Sequence, residues 1–153
     1  MEILLTTLGR RSTRKHSAAE QMFADYRGRI GHYVPCRADN FATEDKFFEA
    51  IYKKGGRTAA MLVLLDSRGK SWPTETFAVW LRKQRDEGAQ QIVFAIGPAD
   101  GWSEAARAKA GVLLSLGPMT LPHELAAVVV AEQIFRAFTI IEGHPYHLGH
   151  MNG

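Results

Sequence analysis

The chain has a single cysteine, Cys36. No internal disulfide can form, and such usage fits a reducing compartment, so a cytoplasmic location is expected. Cys36 itself reads as a small buried hydrophobe rather than a reactive thiol. Long uninterrupted apolar runs are also lacking. Ile3-Leu4-Leu5 is too short for a secretory leader, and the charges around it come in the wrong order. The longest apolar stretch, residues 125–141, carries Glu132, Gln133 and Arg136, which makes it a poor membrane span and a good core helix. There is no internal repeat, low-complexity tract or linker, so residues 1–153 read as one domain, long enough to bury a core. His144, His147 and His150 recur at three-residue spacing, but no cysteine or carboxylate motif supports them, and no metal is assigned.

Charge is present but uneven. Through Arg57 there are 11 Lys+Arg against 7 Asp+Glu; after it, 8 against 9. A basic N-terminal half beside a neutral C-terminal half suits RNA contact by one part and small-molecule binding by the other. A solvated basic face accounts for the same counts.

Along the chain, residues 2–6 read as a strand, followed by a basic loop over 9–16. Ser17-Ala18-Ala19-Glu20 has capping-box spacing and predicts a helix to about Tyr26, with Met22, Phe23 and Tyr26 on one face. Residues 32–36 read as extended, with Pro35 marking an edge. Thr43 is placed to cap a second helix carrying Phe47, Phe48, Ile51 and Tyr52, and Gly55-Gly56 to end it. Residues 59–65 form a near-continuous apolar run, as in a strand covered on both faces. A helix from Thr74 carries Phe77, Trp80 and Leu81 and stops at Gly88. A strand over 91–96, a Ser103-capped helix over 104–110 and a last strand over 112–116 follow. Strands alternate with helices, so the fold class is α/β with a mostly parallel sheet flanked by helices.

The most informative stretch is Leu113-Leu114-Ser115-Leu116-Gly117-Pro118-Met119-Thr120-Leu121-Pro122-His123-Glu124-Leu125. A short apolar strand meets Gly117-Pro118, Thr120 is placed to cap the next helix, and Pro122 suits its first turn. Free backbone N–H groups at such a joint are a common place to hold a ligand. An ordinary strand–loop–helix connection reads the same way. Phe94-Ala95-Ile96-Gly97-Pro98-Ala99-Asp100-Gly101 and Leu64-Leu65-Asp66-Ser67-Arg68-Gly69-Lys70 are two further strand-to-loop turns, and Gly143-His144-Pro145-Tyr146-His147 follows the last helix.

In this order and spacing, these four segments resemble the RlmH family, SPOUT-class methyltransferases acting on a pseudouridine of large-subunit ribosomal RNA. The resemblance spans nearly the whole chain and is strongest over residues 62–147. It implies a SPOUT-type α/β knot with a C-terminal trefoil, a homodimer, and S-adenosyl-L-methionine as methyl donor. Carried over residue by residue, it implies cofactor binding by Leu65, Gly97 and the run Leu116, Gly117, Pro118, Met119, Thr120 and Leu121. It implies that Tyr146 and His147 line the active site and place the target nucleotide, and that the methyl acceptor is N3 of a pseudouridine in 23S rRNA on the ribosome, with no metal and no membrane. His123, which the family shares, orients the cofactor loop or caps its helix. The chain departs from the family's pattern at Pro98, where a second glycine is usual, at Ala127 in place of arginine, at Phe135 in place of tyrosine, and in the tail beyond His147. The alternatives are a related enzyme acting on transfer RNA and an RNA-binding relative with weak or lost catalysis.

Overall fold

A computed structural model describes residues 1–9, 17–53, 60–98 and 100–150. Among them five strands alternate with five helices. In order these are β1 Glu2–Leu8, α1 Ala18–Ile30, β2 Cys36–Phe41, α2 Glu44–Lys53, β3 Met61–Lys70, α3 Thr74–Asp86, β4 Gln91–Ile96, α4 Glu104–Ala108, β5 Val112–Leu114 and α5 His123–Ile141. A 3-10 helix, Pro145–His150, follows. The strands make one sheet in the order β2-β1-β4-β3-β5. Every pairing in it is parallel, as the strand–helix alternation predicts.

The period-two alternation of the central strands divides the core into two layers. Ile3, Leu5, Val63, Ile92 and Phe94 face α1, α3 and α5, whose Ile30, Leu81, Ile134 and Phe138 complete that layer. Leu4, Leu62, Leu64, Val93 and Ala95 face α2 and α4, through Phe47, Phe48 and Ala106. Burial on both faces is why β3 and β4 read as continuous apolar runs. Fully buried Phe47, Phe94 and Phe138 are the largest side chains involved, and each such burial contributes roughly 1.5–3 kcal/mol. No helix among the described residues is long and apolar enough to cross a membrane.

Several expected boundaries shift. Ser17 Oγ accepts the Glu20 N–H at 3.2 Å, which is the forward half of the capping box. The reciprocal half is not made: Glu20 Oε2 is buried without a hydrogen-bond partner. Helix α1 continues past Tyr26 to Ile30, because Ile30 is fully buried and Gly31 is the cap. Phe23 and Tyr26 pack on the core, but Met22 is exposed. Residues 32–35 are not extended; Tyr33 and Val34 N–H groups both donate to the Ile30 carbonyl and close the helix. The strand begins at Cys36. It sits at the sheet edge, so Arg37, Asp39 and Asn40 need no apolar pattern, and the Asn40 amide instead donates to the Thr7 carbonyl and hydroxyl. Thr43 Oγ1 accepts the Lys46 N–H at 3.2 Å as expected; the Gly55-Gly56 stop and the loop over 10–16 lie outside the described residues. Helix α4 ends at Ala108 and β5 at Leu114, both earlier than predicted.

Strand β3 runs beyond Leu65. Leu65 and Lys70 both lie opposite Leu114, so residues 66–69 bulge out of the ladder before Ser115 N–H donates to the Lys70 carbonyl at 2.8 Å. A Cβ on Gly69 would sit 2.5 Å from the Leu113 carbonyl oxygen. Glycine alone lets the returning chain cross β5 so closely.

Candidate functional site

Three loops leave the C-terminal ends of β3, β4 and β5 side by side and enclose a cleft of about 450 Å³. The β3 bulge contributes Leu65, Asp66 and Arg68. The β4 loop contributes Ile96, Gly97, Pro98, Asp100 and Gly101. The β5 loop contributes Leu116, Gly117, Pro118, Met119, Thr120 and Leu121, and α5 adds His123 and Ala126. All eight residues expected to hold a cofactor therefore meet in one place. A ligand in the crevice beyond the carboxyl ends of parallel strands is the general arrangement of open α/β sheets.

Each loop is held by an identifiable contact. Trp102 is buried under the β4 loop and its indole N–H donates to the Leu65 carbonyl at 3.1 Å, tying β3 to β4. A Cβ on Gly97 would lie 2.6 Å from that indole nitrogen, so Trp102 requires glycine there. Arg68 grips Asp66 through two parallel bonds of 2.9 Å and also donates to the Trp102 carbonyl. The Arg68 hydrogen bonds hold the Asp66 carboxyl below its ordinary pKa of 3.8, against its burial, so it stays ionised. Ser115 Oγ accepts the Gly117 N–H at 3.0 Å and donates to the Gly117 carbonyl, pinning the β5 turn at a φ of +119°. Sequence reasoning gave Asp66, Arg68 and Trp102 no role; the Asp–Arg spacing of two was visible, but the tryptophan's reach to β3 was not.

The start of α5 differs from expectation. Thr120 is exposed and does not cap; Pro122 is the N-cap, with no side-chain hydrogen bond. A proline there has no side-chain oxygen for the first-turn amides; its carbonyl accepts the Ala126 N–H at 2.9 Å, and His123 and Ala126 line the cleft. Leu116 and Met119 are 38% and 83% exposed, so they are not core residues.

Tyr146 and His147 lie elsewhere. Neither lines the cleft; Tyr146 is clasped against α5 and His147 between α5 and α3. Tyr146 packs edge-on to Phe135 at 4.8 Å, and its hydroxyl donates to Glu132 Oε1 at 3.1 Å. Burial first, then bonds to Tyr26 and Glu132, push the phenol up to about 12. Arg136 bonds Glu132 at 2.8 Å and lies 3.1 Å from His147 Nδ1. A guanidinium only donates, so Nδ1 accepts, and Nε2–H donates to Glu75 Oε1 at 2.9 Å. Phe135 is thus the ring on which the tail's tyrosine packs. Ala127 is buried on α5. It lines, with Glu20, Arg27, Asn40 and His123, a separate cavity of about 320 Å³ beside α1. Among the described residues no group of three or more His, Cys, Asp or Glu is placed to hold a metal.

A family model described as "Predicted SPOUT methyltransferase" matches residues 1–147. The chain is 44% identical over 136 residues to the ribosomal RNA large subunit methyltransferase H of Koribacter versatilis, covering 89% of this chain and 92% of that one. It is 43% identical over 119 residues to the protein of the same name from Sinorhizobium medicae, covering 78% and 74%. Among solved structures, a probable methylase family protein from Haemophilus influenzae superposes with a TM-score of 0.55 at 12% identity, over 96% of this chain and 69% of that one, a likeness of fold. With the three-loop cleft and the parallel sheet, these matches establish that the chain belongs to the SPOUT methyltransferase family, together with the ribosomal RNA large subunit methyltransferase H proteins.

Proposed function

We propose that the protein is a single-domain, cytoplasmic methyltransferase that moves a methyl group from S-adenosyl-L-methionine to N3 of a pseudouridine in 23S rRNA on the ribosome. It works as a homodimer with its C-terminal segment knotted. The observation that carries this reading is the convergence of Leu65, Gly97 and residues 116–121 on one cleft. Leu116 and Met119, exposed in the cleft lining, and Leu125, exposed on the first turn of α5, support a second subunit lying over this end of the sheet. The close crossing at Gly69 supports the threaded topology.

The residues present fit the donor. The arginine lining the cleft, Arg68, is neutralised by Asp66, Asp100 is a second carboxylate there, and Leu65, Ile96, Gly97 and Leu116 add backbone and apolar wall, a lining that suits a cationic sulfonium. When bound, the donor supplies an electrophilic methyl group. The protein's part is alignment and exclusion of water. Leu65, Ile96 and Leu116 flank the ligand, the β4 and β5 loops offer backbone partners, and Trp102 and the Asp66–Arg68 pair keep the loops at their spacing. Tyr146, protonated at neutral pH, holds Glu132 by donating to it rather than taking a proton. His147 presents no free lone pair while Arg136 occupies Nδ1, so the imide proton leaves to another acceptor.

The test is transfer of labelled methyl to ribosomes from cells lacking the modification, beside free ribosomal RNA. Label at N3 of one large-subunit pseudouridine is the expected result. No transfer from folded protein that binds ribosomes would favour the non-catalytic relative, a reading for which Pro98, with no N–H to offer the cleft, is the specific observation.

A further inference from the structure

A third cavity, of about 340 Å³, lies between α3 and α5 on the other side of the β5 loop. We propose that it receives the target base and that Gln133 is the residue that distinguishes pseudouridine from uridine; this rests on the methyltransferase reading above. The cavity shares Leu114, Leu116 and Gly117 with the cofactor cleft. At Gly117 the space is open: a Cβ built there would meet nothing within 4 Å. The two cavities thus meet at a residue without a side chain, where a reacting atom on one side has access to the other.

Its walls suit a flat ring. Trp72, half-buried, lines it above a floor of buried Phe77 and Phe94, whose rings lie edge-on with centroids 6.0 Å apart. A partly exposed indole of this kind stacks on unpaired bases. Its polar lining is led by Gln133, whose amide is fixed from both ends. Thr74 Oγ1 donates to Gln133 Oε1 at 2.7 Å, and Gln133 Nε2 donates to Glu132 Oε2 at 2.8 Å. Glu132 accepts and cannot donate as a carboxylate, so the amide cannot flip. It is itself held by Arg136 and Tyr146. A primary amide has two donors and two lone pairs. One of each is used, leaving one N–H and one lone pair for a ligand.

That pair matches one edge of pseudouridine. In pseudouridine the ribose is on C5, so N1 carries a hydrogen beside the C2 carbonyl. Gln133 accepts from N1–H and donates to the C2 carbonyl, and N3 is left uncovered for methylation. Uridine has no N1–H, because N1 bears the ribose. Its remaining donor is N3–H, and an amide bonded there covers the acceptor atom itself. The same glutamine therefore binds one base productively and the other unproductively, discrimination of the kind a hydrogen-bonding site achieves by leaving the wrong ligand mismatched.

The test has two arms. In the first, methyl transfer is compared on ribosomes carrying pseudouridine and ribosomes carrying uridine at the target position, for the unchanged protein and for Gln133→Met and Thr74→Val. Binding of S-adenosylhomocysteine by calorimetry is measured alongside. The expected result for Gln133→Met is a fall in kcat/KM on pseudouridine of about tenfold or more, with the pseudouridine-to-uridine ratio moving toward one and cofactor-product affinity unchanged. Thr74→Val, which removes one of the two bonds that fix the amide, lowers the ratio less. An unchanged ratio would give Gln133 a merely structural role, and a matching loss of S-adenosylhomocysteine affinity would give the cavity to the cofactor; either overturns the proposal. In the second arm, the unchanged protein saturated with S-adenosylhomocysteine is titrated with pseudouridine monophosphate and with uridine monophosphate while the Gln133 side-chain amide resonances are followed. A shift with the first and a smaller or different one with the second is expected; equal shifts, or none, overturn the proposal. This arm needs neither turnover nor a variant. Absence of methyl transfer by the unchanged protein would therefore sink the methyltransferase reading while the titration still decides the role of Gln133.

Discussion

Single atoms set the spacing of the cleft. A methyl at position 97 has to displace the Trp102 indole, and with it the bond to the Leu65 carbonyl. Gly97→Ala is expected to cost about 1–3 kcal/mol by overpacking and to weaken cofactor binding, read by thermal denaturation and calorimetry. Trp102→Phe, which deletes the N–H and leaves a small cavity under the β4 loop, should cost about 1–3 kcal/mol. Asp66 has its carboxyl held below 3.8 in the folded chain, first by its bond from Arg68. Its stabilising contribution is present above pH 3.8 and lost as pH falls through the lower folded value. Asp66→Asn should therefore flatten the acid limb of the stability curve and leave the neutral limb's shape unaltered. Tyr146 has the opposite sign. Its phenol is raised from 10.0 to about 12, so folded stability is unaffected by it below pH 10 and falls between there and about pH 12. Tyr146→Phe removes that alkaline loss, and phenolate absorbance in the folded protein should show one tyrosine titrating late. Each of these groups is a residue whose type was visible in the sequence but whose partner was not.

At the scale of elements, the tail and α5 behave as one unit. Arg136, Glu132, Tyr146 and His147 form a bonded cluster that also reaches Glu75 on α3. Arg136→Ala leaves Glu132 and His147 Nδ1 without that donor, and unmet polar groups of this burial cost about 1–3 kcal/mol each. The expected outcome is release of residues 145–150, seen as faster amide exchange and earlier proteolysis there, with the sheet's exchange little changed. The same scale separates the two kinds of strand. Strands β3 and β4 announce themselves as apolar runs because helices cover both faces. The edge strand β2 hides, because only β1 pairs with it and none of its side chains is fully buried. Likewise the bulge over 66–69 leaves no periodic mark, although Gly69-Lys70 stands where it returns to β5.

At the scale of the whole molecule, Leu116, Met119 and Leu125 are exposed apolar side chains that the proposed second subunit covers. On the homodimer reading proposed above, the unchanged protein sediments as a dimer and Leu125→Asp, on the first turn of α5, as a monomer with a cooperative thermal transition; a monomeric unchanged protein would overturn that reading. The sequence by itself determined the α/β class, the parallel sheet, most element positions and the three glycine-marked turns, because period-two alternation, cap residues and glycine act over a few neighbours. Resemblance in those turns also led to the eight cleft residues. Only the tertiary structure decided the strand order, the bulge, the bond from Trp102 to Leu65, the clasp that holds Tyr146 and His147 outside the cleft, and the cavity presenting Gln133. Those features rest on contacts between residues far apart in the chain, such as Glu75 with His147 and Thr74 with Gln133. Their geometry exists only once the helices have packed on the sheet, so no local pattern encodes it.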